Sequence, residues 1–174
     1  RDSLRNAPEG YPFTRKLARM FLGKSIIREK ATVEKFKESN HYNVINIFAH
    51  GLEDTLIASK SKLILYNADT LNRGYLYSRE IAELSLGANL VSLVSCYSGS
   101  GQLIEGEGIM SIGRSFSIAG IPCLIISQWE ARSVPSIIVL TEFFRQLRKG
   151  KSKPRAMQIA KLKYLESTST IGAN

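Results

Sequence analysis

His50 and Cys96 each stand where an apolar run gives way to small residues. The run "VINIFAHG" delivers His50, followed by Gly51, and "NLVSLVSCYSGSG" delivers Cys96 ahead of a Ser/Gly stretch. The β-branched runs predict buried strands, and residues 97–101 favour a turn or loop. Two neighbouring parallel strands would bring imidazole and thiol to one carboxyl edge of a sheet, where ligands and chemistry gather in open α/β folds. A thiol beside an imidazole is the minimum apparatus of cysteine nucleophilic catalysis, because the thiolate attacks and the imidazole helps to produce it. Gly51 has no Cβ to obstruct a carbonyl substrate, and its N–H would join that of Cys96 in an oxyanion hole. This chemistry calls for no cofactor and no metal.

Other residues with chemical potential have plainer readings. Taken alone, Cys96 reads as a small core hydrophobe, and it is the pairing with His50 that changes this. Cys123, inside "IPCLIIS", reads as core, and His41, in the polar stretch "ESNHYN", as surface. Glu53 and Asp54 either orient the His50 imidazole or are solvated loop acids. "GSGQLIEGEG" lacks the Gly-Lys-Ser/Thr ending of a phosphate cradle. It reads as a mobile loop leading to a helix whose first turn carries Glu107, favourable at the positive end of the helix dipole. No GxSxG elbow is present, which removes a serine hydrolase of the α/β-hydrolase type.

The elements that must position these groups alternate along the chain. Residues 12–22 place Phe13, Leu17, Met20 and Phe21 on one side of a helix, and "ATVEKFKE" continues the helical signal. "NVINIFAHG" is a strand running into a turn, "SKLILYNAD" a second strand, and "SREIAELSL" a short helix with Ser78 as N-cap. After the Cys96 strand come the glycine-rich loop, a helix through "GIMSIGRSFSIAG" closed by Gly120, and a buried strand in "IPCLIISQW". Two amphipathic helices follow, the first ended by Gly150 and the second begun near Pro154. The Ser/Thr-rich tail from Ser167 reads as disordered. Strands separated by helices predict an α/β fold with a mostly parallel central sheet and helices on both faces.

Composition sets the outer bounds. A chain of 174 residues that is 44% hydrophobic can bury one core of ordinary domain size. The start at Arg1 without Met is expected of a fragment of something longer. No run approaches the ~18 apolar residues of a membrane span, and the amino end lacks a signal-peptide core, so a cytosolic domain is expected. Two cysteines make no disulfide framework and are read as reduced thiols. The net charge of +9 comes from dispersed Lys and Arg, mostly at helical spacing beside apolar residues, the pattern of a solvated face. Without interleaved aromatics to stack bases, attraction to an acidic protein partner is a better reading than nucleic-acid binding.

"FAHG", "LVSCYSGSG", "GEGIMSIGRSFSIAGIPCLIISQW" and "FFRQLRKGKSKPRAMQIAKLKYL" together resemble the CHAT-domain family of caspase-like cysteine peptidases. The match runs in order over about residues 8–165, and His50 precedes Cys96 by 46 positions, near the caspase spacing. The family is distantly similar to separase and is often fused to tetratricopeptide repeats in bacteria. The resemblance implies a caspase-like three-layer sandwich, endopeptidase activity on protein substrates, His50 as catalytic histidine and Cys96 as nucleophile.

It also implies a substrate cleft near Ser127, Gln128, Trp129, Glu130 and Arg132, along which the peptide lies extended as an added strand. Relatives carry a hydrophobic and then acidic residues after the tryptophan, where this chain has Ala131, Arg132 and Ser133, so the side chain preferred at the cleavage site stays open. A regulatory tetratricopeptide-repeat region in cis, or a partner protein, is the expected restraint. The competing expectation is a catalytically idle module that keeps the fold and binds peptides.

Overall fold

The structure, a computed structural model, describes residues 10–54, 56–68, 74–95, 102–104, 108–127 and 132–171. It divides into two compact units: Arg1–Ala7 with Ile26–Ala131, and Pro8–Ser25 with Arg132–Asn174.

The first unit is built on a parallel sheet of β1 (Val44–Phe48), β5 (Leu90–Val94) and β8 (Leu124–Ile125), in the order β1-β5-β8. Its central strand, β5, is buried at every position, as an uninterrupted apolar run predicts, whereas β1 alternates and buries Ile45 and Ile47. The register pairs Val44 with Leu90 and Phe48 with Val94. Ser92 is the polar exception in β5, and its hydroxyl donates to Asn46 Oδ1 at 2.5 Å across the strand pair. The β8 strand is two residues long and half-buried, shorter and more open than the sequence suggests.

An antiparallel ribbon follows β1 directly: β2 (His50–Leu52), β3 (Lys62–Leu65) and β4 (Gly74–Tyr77), in that order. "VINIFAHG" therefore does not run into a turn; after one residue, Ala49, the chain enters a second strand. β4 was not expected from the sequence. Its first residue must be glycine, because a Cβ there would lie 2.8 Å from the carbonyl oxygens of Leu65 and Tyr66. A further antiparallel pair, β6 (Gln102–Ile104) and β7 (Gly108–Met110), occupies part of the glycine-rich stretch.

Three short helices complete the unit. In α2 (Val33–Lys37) the Thr32 hydroxyl accepts the Lys35 N–H at 3.2 Å, an N-cap. α3 (Ser78–Ala82) is preceded by Tyr77, which takes the cap position expected of Ser78, and the Glu80 carboxylate accepts the Tyr77 N–H at 3.1 Å. α4 (Ile112–Ile118) is capped by Ser111, whose hydroxyl accepts the Arg114 N–H. The helix begins at Ile112, so Glu107 is not in its first turn, and Gly120 follows its end at φ 94° as expected. Between sheet, ribbon and helices lies the core, with Leu63, Leu76, Ile81, Val91, Ile112 and Phe116 fully enclosed. The Phe36 ring meets Phe116 edge-on at 6.2 Å. These features establish a mixed α/β unit with a parallel sheet.

The second unit is helical: α1 (Gly10–Met20), α5 (Ser133–Arg148) and α6 (Lys153–Ile171). Gly150 at φ 77° makes the turn that folds α6 back on α5. Ala156 and Ala160, one turn apart and almost wholly buried, let the two helices approach closely, and Phe144 meets Phe21 edge-on at 5.8 Å. Glu142 is buried in this unit and is held by Gln146 at 2.7 Å, by Lys163 at 3.3 Å and by Arg145. The tail expected to be disordered from Ser167 is helical as far as Ile171. Among the described residues no helix is long and apolar enough to cross a membrane.

Candidate functional site

Parallel register decides where the two predicted strand ends fall. Phe48, the last residue of β1, pairs with Val94, the last of β5, and the Ala49 N–H donates to the Val94 carbonyl at 3.2 Å. His50 is two residues beyond Phe48, and Cys96 is two residues beyond Val94. The strands that deliver them thus end at one carboxyl edge, at matching positions. Cys96 itself lies outside the described residues, as do Gln128, Trp129 and Glu130.

His50 opens β2, where it pairs with Ile64 of β3, which in turn pairs with Tyr75 of β4. Directly opposed residues of antiparallel strands share a face, so His50, Ile64 and Tyr75 form one row and Leu52, Lys62 and Tyr77 the next. The other face carries Gly51, Leu63 and Leu76. Because Leu63 and Leu76 are fully buried, that face is the core side, and the His50 row is the half-buried outer side. The imidazole is itself half-buried. Its Nε2 is shut off from solvent with no hydrogen-bond partner among the described residues, a state that costs free energy unless a partner is supplied.

Beside His50 the outer face is ordered by ring and cation contacts that sequence reasoning missed. Lys62 Nζ stands 4.6 Å from the Tyr75 ring centre and 5.2 Å from that of Tyr77, and the Arg79 guanidinium lies 4.5 Å from the Tyr77 ring. The two tyrosine rings meet edge-on at 6.0 Å. The signal available in sequence was the alternation Tyr75, Tyr77 across from Lys62, which becomes legible only once β4 is recognised as a strand.

The remaining candidates separate. Gly51 follows His50 on β2, half-buried. Ser127 is half-buried, two residues past the end of β8 and so at the same carboxyl edge. Arg132 is exposed and stands at the N-cap position of α5 in the second unit, without a side-chain capping bond. Asp54 uses its carboxylate to accept the N–H groups of Leu56 at 3.1 Å and Ile57 at 2.8 Å, a turn-forming role. Cys123 is a free, half-buried thiol rather than a core residue, and its carbonyl accepts the Val91 N–H. His41 is exposed, as expected, with its ring tilted against Tyr42. Among the described residues no group of three His, Cys, Asp or Glu side chains is arranged to hold a metal ion.

Residues 7–171 match the family model of the CHAT domain. The chain belongs to the CHAT-domain family. CHAT domains are related to caspase-like cysteine peptidases, and the match covers nearly the whole chain, both units included. No curated protein matches this CHAT domain.

Proposed function

We propose that this CHAT domain is a caspase-like cysteine endopeptidase, with a caspase-type sandwich as its fold and His50 and Cys96 as its catalytic dyad. The observation that carries the reading is the β1–β5 register, which ends the two delivering strands at matching positions on one sheet edge. Membership of a peptidase-related family supports it, as does the Nε2 of His50, which has no hydrogen-bond partner among the described residues and for which a thiol is a fitting one.

In this mechanism the Cys96 thiolate attacks the scissile carbonyl carbon, and the carbonyl oxygen takes up negative charge. The N–H groups of Gly51 and Cys96 hold that oxyanion. His50, protonated, gives its proton to the departing amine as the C–N bond breaks, leaving a thioester. It then takes a proton from water, whose oxygen attacks the thioester; the C–S bond breaks, the Cys96 thiolate is released beside protonated His50, and the acid product loses its remaining proton to solvent. Residues Ser127, Gln128, Trp129 and Glu130, which follow β8, would line the cleft for an extended peptide. A regulatory repeat region in the same protein, or a separate partner, would restrain this activity.

The deciding experiment is labelling with a thiol-reactive peptidyl probe, comparing the protein with its Cys96→Ala variant. Selective labelling that disappears in the variant supports the peptidase. Labelling that persists through Cys123, or none at neutral pH, points instead to an idle peptide-binding module.

A further inference from the structure

The charge that looks dispersed along the sequence is concentrated by the fold. The second unit holds 13 Lys and Arg against 3 Asp and Glu, a net of +10, while the first holds 11 against 12, a net of −1. The densest part is the α5–α6 turn, where Arg145, Arg148, Lys149, Lys151, Lys153 and Arg155 fall within one stretch and all but Lys153 are exposed. Glu142 engages Arg145. Arg148, Lys149 and Lys151 have no carboxylate partner among the described residues.

This placement opposes the local physics of the helix. Basic side chains suit the end of α5, but those at the start of α6 face the positive end of its dipole, and its first turn has no acidic residue. The sequence there reads Ser152-Lys153-Pro154-Arg155, and the Ser152 carbonyl accepts the Ala156 N–H at 2.8 Å, the first turn of the helix. A glutamate at position 155 would suit the positive end of that dipole and give the Ser-x-x-Glu spacing of a capping box. The chain carries arginine instead.

From Arg155 one stripe runs along α6 through Gln158, Leu162 and Leu165, at spacings of three and four residues. All four are exposed, the leucines at 50% and 59%. Cations at one end and apolar groups at the other fit an amphipathic polypeptide better than a pure polyanion. Single-stranded nucleic acid would be matched by stacking rings, and residues 145–155 contain no aromatic. A membrane surface would call for a broad apolar face, and α6 offers a two-leucine stripe set between Lys161 and Lys163. We infer that the α5–α6 hairpin is a docking surface for an acidic amphipathic helix of a partner protein, whose carboxylates meet the basic turn and whose apolar residues cover Leu162 and Leu165. This surface belongs to the second unit and His50 to the first, and the inference does not depend on peptidase activity.

The test uses the intact protein and a synthetic helix of about 20 residues built from Glu, Leu and Ala, long enough to be helical when bound. Fluorescence anisotropy should register binding that weakens with added salt. Lys151→Glu/Arg155→Glu should weaken it by about tenfold or more, and Leu162→Ser/Leu165→Ser by a similar factor. The charge variant should also melt at a higher temperature, because it places carboxylates at the positive end of the α6 dipole, so lost affinity is separated from lost folding. Cys96→Ala should bind as the wild type does. Absence of binding, wild-type affinity in either surface variant, or tighter binding to a DNA duplex or to phosphatidylserine vesicles would overturn the inference.

Discussion

Phe48 and Val94 stand in register at the ends of two parallel strands, locked by the Ala49 N–H on the Val94 carbonyl at 3.2 Å. Every step from sequence to chemistry in this protein passes through that pairing, because it fixes which edge of the sheet receives the residues that follow each strand.

If His50 and Cys96 act as one unit, each alanine substitution lowers kcat/KM for a peptide substrate by about a thousandfold or more. The double variant is then no worse than Cys96→Ala alone. Steady-state rates on all three variants measure this, and losses that multiply would show the two residues working independently.

The Ser92–Asn46 bond joins β1 to β5 at the middle of the sheet, with Ser92 fully buried. Ser92→Ala removes the donor to Asn46 Oδ1 and should cost about 1–2 kcal/mol. Adding Asn46→Val replaces the stranded amide with an apolar side chain and should recover most of the loss. Urea denaturation of the single and double variants distinguishes this from simple additivity.

Gly74 has no room for a methyl group between the carbonyl oxygens of Leu65 and Tyr66, and both obstacles are backbone. Gly74→Ala should destabilise the protein by about 1–3 kcal/mol through displacement of β4. Hydrogen exchange should then place the loosened amides in β3 and β4, with those of β5 still protected. Uniform loss across the sheet would contradict a local clash.

Glu142 is held below the ordinary glutamate value of 4.5, first by the Gln146 amide, against the opposing effect of burial, and then by Lys163 and Arg145. A lowered folded-state pKa means that the ionised carboxylate stabilises the fold above the unfolded value, and that this contribution drains away as pH falls through the folded one. Glu142→Gln should cost about 1–2 kcal/mol at pH 7, and the gap from wild type should close as the solution is acidified below pH 4.5. Thermal melts across that range give the comparison. A gap that widens on acidification would reverse the assignment.

The parallel strands were legible because β5 is apolar at almost every position and β1 alternates, patterns that burial itself writes into sequence. β4 escaped notice because Gly-Tyr-Leu-Tyr buries just one apolar side chain, Leu76, and owes its place to a register with β3 that no local pattern announces. The start of α4 was set too early for a related reason: Gly108–Met110 is drawn into a ladder with Gln102–Ile104.

The Ser/Thr tail reads as disordered until its hydroxyls are followed. Ser167 donates to the Tyr164 carbonyl at 2.7 Å and Thr168 to that of Leu165 at 2.9 Å, so the polar groups bond within the helix they were expected to end. Of the candidate site, the histidine strand and the shared edge could be read in advance. The tyrosine and lysine face beside His50 could not, since it exists only where β3 and β4 lie together.

The ribbon that begins at His50 has an engineering meaning. Its imidazole is mounted on β2, which β3 and β4 extend into a three-stranded ribbon, while Cys96 follows a strand of the parallel sheet in sequence. For the proposed dyad, shortening a ribbon loop would act on the mounting of His50 and leave the strand that precedes Cys96 untouched. Reach and reactivity can be adjusted on separate dials.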